Sequence, residues 1–340
     1  MKPHWDISEL ARKQTLAGKL FRNSVVSLLV CSIIVGQTGC AVVPYTFSSG
    51  DVSTETAKLA PEEPQFERGE PYWLIDGLGN YVFSLLSKLI IFNWKMENHN
   101  ISAETESALA KYITENHLSD VKIRLNQYSP GDEWSRLVDN EAVGAGWRYT
   151  IGVLSWLGYT IFPGRVFGGD SYNPYTNTIS IYSDIPAVAL HEGGHAKDFA
   201  LAEWKGSYGV LGIIPFSSLY FEAEASGDAI GYLKFEDNRC GEKEAYKVLY
   251  PAYGTYLGGD LAQFVNIFTP ISALLGLALV IPAHIVGRSK ASDIELPDGQ
   301  SCDPAESAPA DSTKVEDKKA QPEADLESQQ PADQGSDHPK

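Results

Sequence analysis

Seven histidines occur in the 340-residue chain, and two of them, His191 and His195, stand four apart in ALHEGGHAKD (189–198) with Glu192 between them. On a helix, residues four apart lie one turn above each other, so the two imidazoles face one point. Neutral imidazoles at this spacing hold a zinc ion, and Glu192 stands beside the open coordination position. There it can take a proton from an activated water and return it to a leaving amine. Gly193 and Gly194 cost about 1 kcal/mol each inside a helix. Their presence predicts close approach of a strand or a substrate backbone.

The elements that must position these residues are readable nearby. GGDSYNPYTNTISIYSD (168–184) runs from a turn into a short strand, Thr178, Ile179, Ser180, Ile181 and Tyr182. Asp184 and Pro186 then start the histidine helix, with Asp184 as its capping side chain. Catalytic zinc usually keeps three protein ligands. Leu201, six residues after His195, excludes a third histidine there, and Asp198 is too close on the same helix to reach the ion. SSLYFEAEASGDAIGYLKF (217–235) reads as a further helix, with Glu224 and Asp228 four apart and Glu222 as a rival acid.

Residues 175–235 resemble the zincin metallopeptidases, in which a short strand precedes the H-E-x-x-H helix. The Glu224/Asp228 pair resembles the E-x-x-x-D element of the gluzincins, although Ala223 and Gly227 replace the family's Asn and Ser. The resemblance implies one Zn2+ per chain, held by His191, His195 and Glu224. Asp228 would orient a ligand histidine, and Thr178–Tyr182 would be an edge strand that binds substrate in extended form. The activity implied is zinc-dependent endopeptidase cleavage of a protein or peptide, with Glu192 as general base. Tyr220, Tyr232, Tyr253 and Arg148 are unranked candidates for the oxyanion donor. YPAYGTYLGGD (250–260) reads as a glycine-rich turn, similar only loosely to an aspzincin signature because Asp260 is misplaced. His284, in apolar surroundings, reads as a packing residue. The alternative reading is a non-catalytic envelope lipoprotein, a binding or assembly module on a zincin-derived scaffold.

The rest of the chain concerns location. A basic head precedes the apolar run SVVSLLVCSIIVG (24–36), and QTGC (37–40) resembles a bacterial lipobox with Cys40 as the lipidated residue, despite Gln37. This predicts a lipid anchor at the bacterial cell envelope facing the periplasm or exterior, with an uncleaved inner-membrane anchor as the alternative. The expected organisation is a signal peptide (1–39), a lipidated N-terminus and linker (40–70), the metallopeptidase domain (71–262), a hydrophobic helix (263–287) and a disordered acidic tail (288–340). The tail carries 13 acids against 6 bases and almost no large apolar residue. Residues 264–287 have no charge and read either as a membrane span or as a bent helix packed in the core. Residues 72–94 read as an amphipathic helix on the domain or the membrane surface. VKIRLNQY (121–128) alternates as a half-buried strand, 148–164 is an apolar core element, and Ser102 caps a helix over 102–117. The net charge of −17 excludes a nucleic-acid partner. Helices, a few strands and then helices predict an α+β fold, zincin-like and mainly helical with a small sheet.

Overall fold

The computed structural model describes residues 45–47, 58–212, 214, 217–262 and 270–302. The expected signal peptide, the proposed lipidation residue Cys40 and the tail beyond 302 lie outside the described residues. The chain is mixed α+β, with a four-stranded sheet among many helices. Strand β1 (Phe66–Arg68), within the stretch read as linker, leads to α1 (Trp73–Leu78), a π-helical turn at Gly79–Phe83, and α2 (Leu85–Ile91). Helix α3 (Ala103–Glu115) is capped by Ser102, whose hydroxyl accepts from the Thr105 amide. Strand β2 (Lys122–Leu125) and α4 (Pro130–Asp139) follow.

Strand β2 is not half-buried. Ile123 and Leu125 face the apolar core, and Lys122 and Arg124 on the opposite face are buried too. Helix α4, β1 and the segment before it cover that face with acids. Arg124 Nε bonds Glu133 at 2.8 Å, and Lys122 Nζ lies 3.0 Å from Glu67 and 3.1 Å from Glu63. Buried charges are tolerated when paired in this way.

Helix α5 (Ala145–Trp147) runs through a second π-helical turn into α6 (Val153–Ile161), and α7 (Gly164–Phe167) precedes a hairpin of β3 (Ser171–Asn173) and β4 (Thr178–Ile181). The 148–164 stretch, expected in the core, is a surface helix whose Leu154, Ile161 and Phe162 are exposed. Strand order is β1-β2-β4-β3, with β3 antiparallel to β4 and the other pairs parallel. Strand β4 is therefore interior, paired on both sides, and β3 is the edge strand beside it. This corrects the expectation for Thr178, Ile179, Ser180 and Ile181, whose backbone edges are taken by β2 and β3; Tyr182, just past the strand, donates its amide to the Asp170 carboxylate, and its carbonyl accepts from the His99 amide.

Helix α8 (Pro186–Leu201) carries the histidines; α9 (Lys205–Leu211), α10 (Ser217–Phe235), α11 (Arg239–Ala262) and α12 (Pro270–Ser292) complete the chain. Pro186 opens α8 as expected, but Asp184 does not cap it. Its carboxylate turns to α3, accepting from the Ser102 amide (2.9 Å) and from the hydroxyls of Ser102 (2.5 Å) and Thr105 (2.7 Å). The junction between β4 and α8 is thereby fastened to a helix distant in sequence. Helix α8 is buried along most of its length, packed by α3, α10 and α11. Residues 250–260 are not a turn: they continue α11, with Pro251 inside it. Helix α12 takes up the hydrophobic segment and packs along α11. Among the described residues no single helix is long and apolar enough to cross a membrane, although α1 to α2, bent by 48°, pass that test together.

Candidate metal centre

Two glycines set the geometry. A Cβ at Gly193 would lie 2.7 Å from the Tyr112 ring of α3, and one at Gly194 would lie 3.0 Å from the Ala225 backbone of α10. The close approach is made by two helices rather than by a strand or substrate. Because α10 comes so near, Glu222, one turn before Ala225, and Ser226, next to it, reach the histidines.

The acid that arrives is Glu222, not Glu224. His191 Nε2 lies 3.1 Å from Glu222 Oε2, His195 Nε2 lies 3.5 Å from Glu222 Oε1, and the two imidazole nitrogens are 3.1 Å apart. The three ligand atoms lie within 4.8 Å of one another and form a possible three-residue metal-binding group. Glu224 is two residues on, about 200° round the helix, where its carboxylate bonds the Tyr220 hydroxyl. Helical phase decides between the two acids.

The same phase overturns Asp228 as the residue that orients a histidine. Its carboxylate takes the Tyr112 hydroxyl and, at 2.7 Å, the Lys197 ammonium. It ties α3, α8 and α10 together behind the site. The residue four after Glu222 is Ser226, and its Oγ lies 3.2 Å from His191 Nδ1. A proton on Nδ1 donated to that hydroxyl leaves Nε2 with its lone pair toward Glu222 and His195, the tautomer a metal ligand needs.

Electrostatics mark the cluster as a unit. Burial raises Glu192 to about 7, although both histidines pull it down. Burial works against charge on His195, yet the Glu222 carboxylate prevails and raises the imidazole to about 9. Burial would likewise raise Glu222, but the two histidines hold it well below the usual carboxylate range. Two carboxylates that share the same pair of histidines are thus driven in opposite directions, Glu192 up and Glu222 down. Two histidines and a charged carboxylate are a donor set that suits a divalent zinc ion.

Besides Ser226, a second residue was not anticipated. Tyr256 of α11 has its hydroxyl hydrogen-bonded to Glu222, whose charge, with burial and Glu192, pushes the phenol well above its ordinary value. Three of the four donors proposed from sequence are engaged elsewhere, and the fourth, Tyr253, shares a cavity lining with His191 and Glu192. Tyr220 bonds Glu224, Tyr232 donates to Glu115 at 2.6 Å, and Arg148 bonds the Val138 carbonyl. Tyr253 lies one turn before Tyr256 and lines a neighbouring cavity. Asp198 stays off the cluster and bonds Tyr208. Asp260 pairs with Ser218 at 3.2 Å, and His284 bonds the Ile90 carbonyl and packs on Phe92.

Two cavities meet at the cluster. The larger, about 860 Å³, is lined by Glu192, His195, Glu222 and Tyr256 together with the edge strand β3. The smaller, about 420 Å³, reaches Glu192 and His191 past Phe83 and Leu86. No protein-family model matches the chain, and no curated protein or solved structure matches it significantly.

Proposed function

We propose that the chain is a zinc-dependent endopeptidase of zincin-like architecture, with His191, His195 and Glu222 as the ligand set. The observation that carries this reading is the convergence of those three donors beside the buried carboxylate of Glu192. When bound, zinc supplies Lewis acidity to a water and to the scissile carbonyl. Glu192 is the general base: its carboxylate accepts a proton from the attacking water and hands it to the departing amine. Ser226 fixes the ring of His191, and the Tyr256 hydroxyl donates to the oxygen on which negative charge develops. The substrate backbone pairs with the outer edge of β3, which borders the larger cavity, rather than with β4. The lipobox resemblance at Cys40 supports a lipid anchor at the bacterial envelope.

Metal analysis and proteolysis of the full chain beside Glu192→Gln test the reading. Stoichiometric zinc in both proteins, with cleavage only by the parent, is expected. Absence of zinc from both would sink it, and zinc without cleavage of any peptide in a randomised pool would turn the reading toward a binding module.

A further inference from the structure

Three surface helices leave one apolar face uncovered. On α6, Leu154, Leu157 and Ile161 recur at helical spacing, with Leu154 62 % and Ile161 61 % exposed. On α2, Leu86 (65 %) and Leu89 (50 %) point outward, followed by Phe92 at its end, and on α12 Ile281 and Ile285 (66 %) do the same. Ring contacts join the stripes. Phe83 lies 5.0 Å from Phe167, Phe167 lies 5.7 Å from Phe162, and Phe92 lies 4.7 Å from His284, between the two isoleucines. A contiguous exposed patch of this kind marks an interaction site.

The chemistry of the face selects its occupant. Between residues 72 and 92 the only charges are Asp76 and Lys88, and neither is presented outward. Asp76 pairs with Arg165 at 2.7 Å. Lys88 is buried, its ammonium on Asn80 Oδ1 (2.5 Å) and Ser84 Oγ (2.6 Å), satisfying the π-helical turn from within. Residues 149–164 contain no charge at all. Exposed Trp73 and Trp94 bracket the first stripe, and Trp147 and Tyr149 precede the second. Aliphatic centres flanked by tryptophan and tyrosine are the pattern of a membrane–water interface. A protein partner would instead meet a rim of hydrogen-bonding groups. On a chain of net charge −17, a face whose acid Asp76 is turned to Arg165 and whose Phe92 is overlain by the Arg288 guanidinium is also one that an anionic lipid surface does not repel.

We propose that this face lies on a lipid bilayer and that the metal site opens toward it. Both cavities reach it: exposed Leu154 and Phe162 line the larger one, and exposed Phe83, Leu86 and Phe167 the smaller. The substrates are accordingly polypeptide segments resident at the lipid surface. This substrate assignment rests on the endopeptidase reading; the docking does not.

The test uses the full chain with phosphatidylcholine vesicles whose acyl chains carry a photoreactive diazirine. Adducts are expected within 78–92, 154–162 and 281–285, unchanged in 1 M salt and lost from those segments in the triple variant Leu89→Glu, Ile161→Glu, Ile285→Glu. These three residues are exposed and line neither cavity. Adducts confined to 24–36, or cross-links between two copies through an unlabelled face, overturn the docking. A randomised peptide pool, free or joined to a palmitoyl chain in the same vesicles, tests the substrate class. At least tenfold faster cleavage of the tethered pool is expected from the parent, with the advantage lost in the triple variant. Equal rates overturn the substrate class. No cleavage of either pool, with the labelling intact, counts against the endopeptidase reading and leaves the docking standing.

Discussion

Gly194 of α8 lies against Ala225 of α10, so close that a Cβ on the glycine would stand 3.0 Å from both the Ala225 Cα and its carbonyl oxygen. That contact sets the distance between the two ligand-bearing helices. Alanine at 194 regains about 1 kcal/mol of helix propensity but overpacks a backbone that cannot turn aside, at a cost of about 1–3 kcal/mol. Gly194→Ala is expected to be destabilised on balance, and to bind zinc at least about tenfold more weakly because Glu222 is pushed outward. Thermal unfolding and a competitive zinc titration measure the two effects; unchanged zinc affinity would show that the helix spacing does not govern the site.

The two acids of α10 differ in their fate. Glu222→Ala is expected to lose zinc by more than about 100-fold, beyond what loss of an outer hydrogen bond does to a metal site, while Glu224→Ala keeps its metal. Zinc content after dialysis reads both, and the reverse pattern would mean that the helix sits in another phase.

Tyr256 has no place in the ligand set, so its removal separates binding from turnover. Tyr256→Phe should retain zinc and leave KM within about twofold, while kcat falls by about 100- to 1000-fold, the range for losing a donor to a developing oxyanion. A fall in zinc content instead would assign the phenol to holding Glu222.

Asp184 gives the fold an acid limit. Burial works against its charge, but the Ser102 hydroxyl and amide and the Thr105 hydroxyl prevail and hold its carboxyl below the ordinary value. A depressed carboxyl contributes stability that is present above the unfolded pKa and is lost as the pH falls through the folded one. Asp184→Asn should therefore be destabilised by about 1–2 kcal/mol near pH 7, with the gap to the parent closing below about pH 4, near the unfolded aspartate value. Denaturant melts at pH 7, 5 and 3 follow the gap; a gap independent of pH would exclude the carboxylate charge as its source.

How far the sequence could be read follows from the range of the interactions involved. His191, Glu192 and His195 were legible because a single helical turn brings them together, and Ser102 because a cap is local. The choice between Glu222 and Glu224 was not, since both lie on one helix and its rotation against α8 is set by the Gly194–Ala225 contact. A spacing pattern favoured Glu224 and Asp228, and that contact favours Glu222 and Ser226. Lys122 and Arg124 read as solvent-facing because charge usually is; only the acids of neighbouring segments explain their burial. Strand β3, three residues long, leaves no alternation to detect, so the interior strand β4 was taken for the edge. Tyr256 stood in a stretch whose glycines and proline read as a turn, which hid the fact that one helix carries Tyr253 and Tyr256 toward the cavities.

The two cavities share Glu192, Asp170, Gly169 and Tyr256 in their walls. A cleft that ends blindly at the reacting group measures its substrate from a terminus and trims it. Here two cavities border Glu192, one reaching His195 and the other His191. On the endopeptidase reading, a polypeptide lying across both would keep its two ends outside, and the bond that reaches the base would be chosen by local sequence and by how far the chain can be drawn out of the lipid.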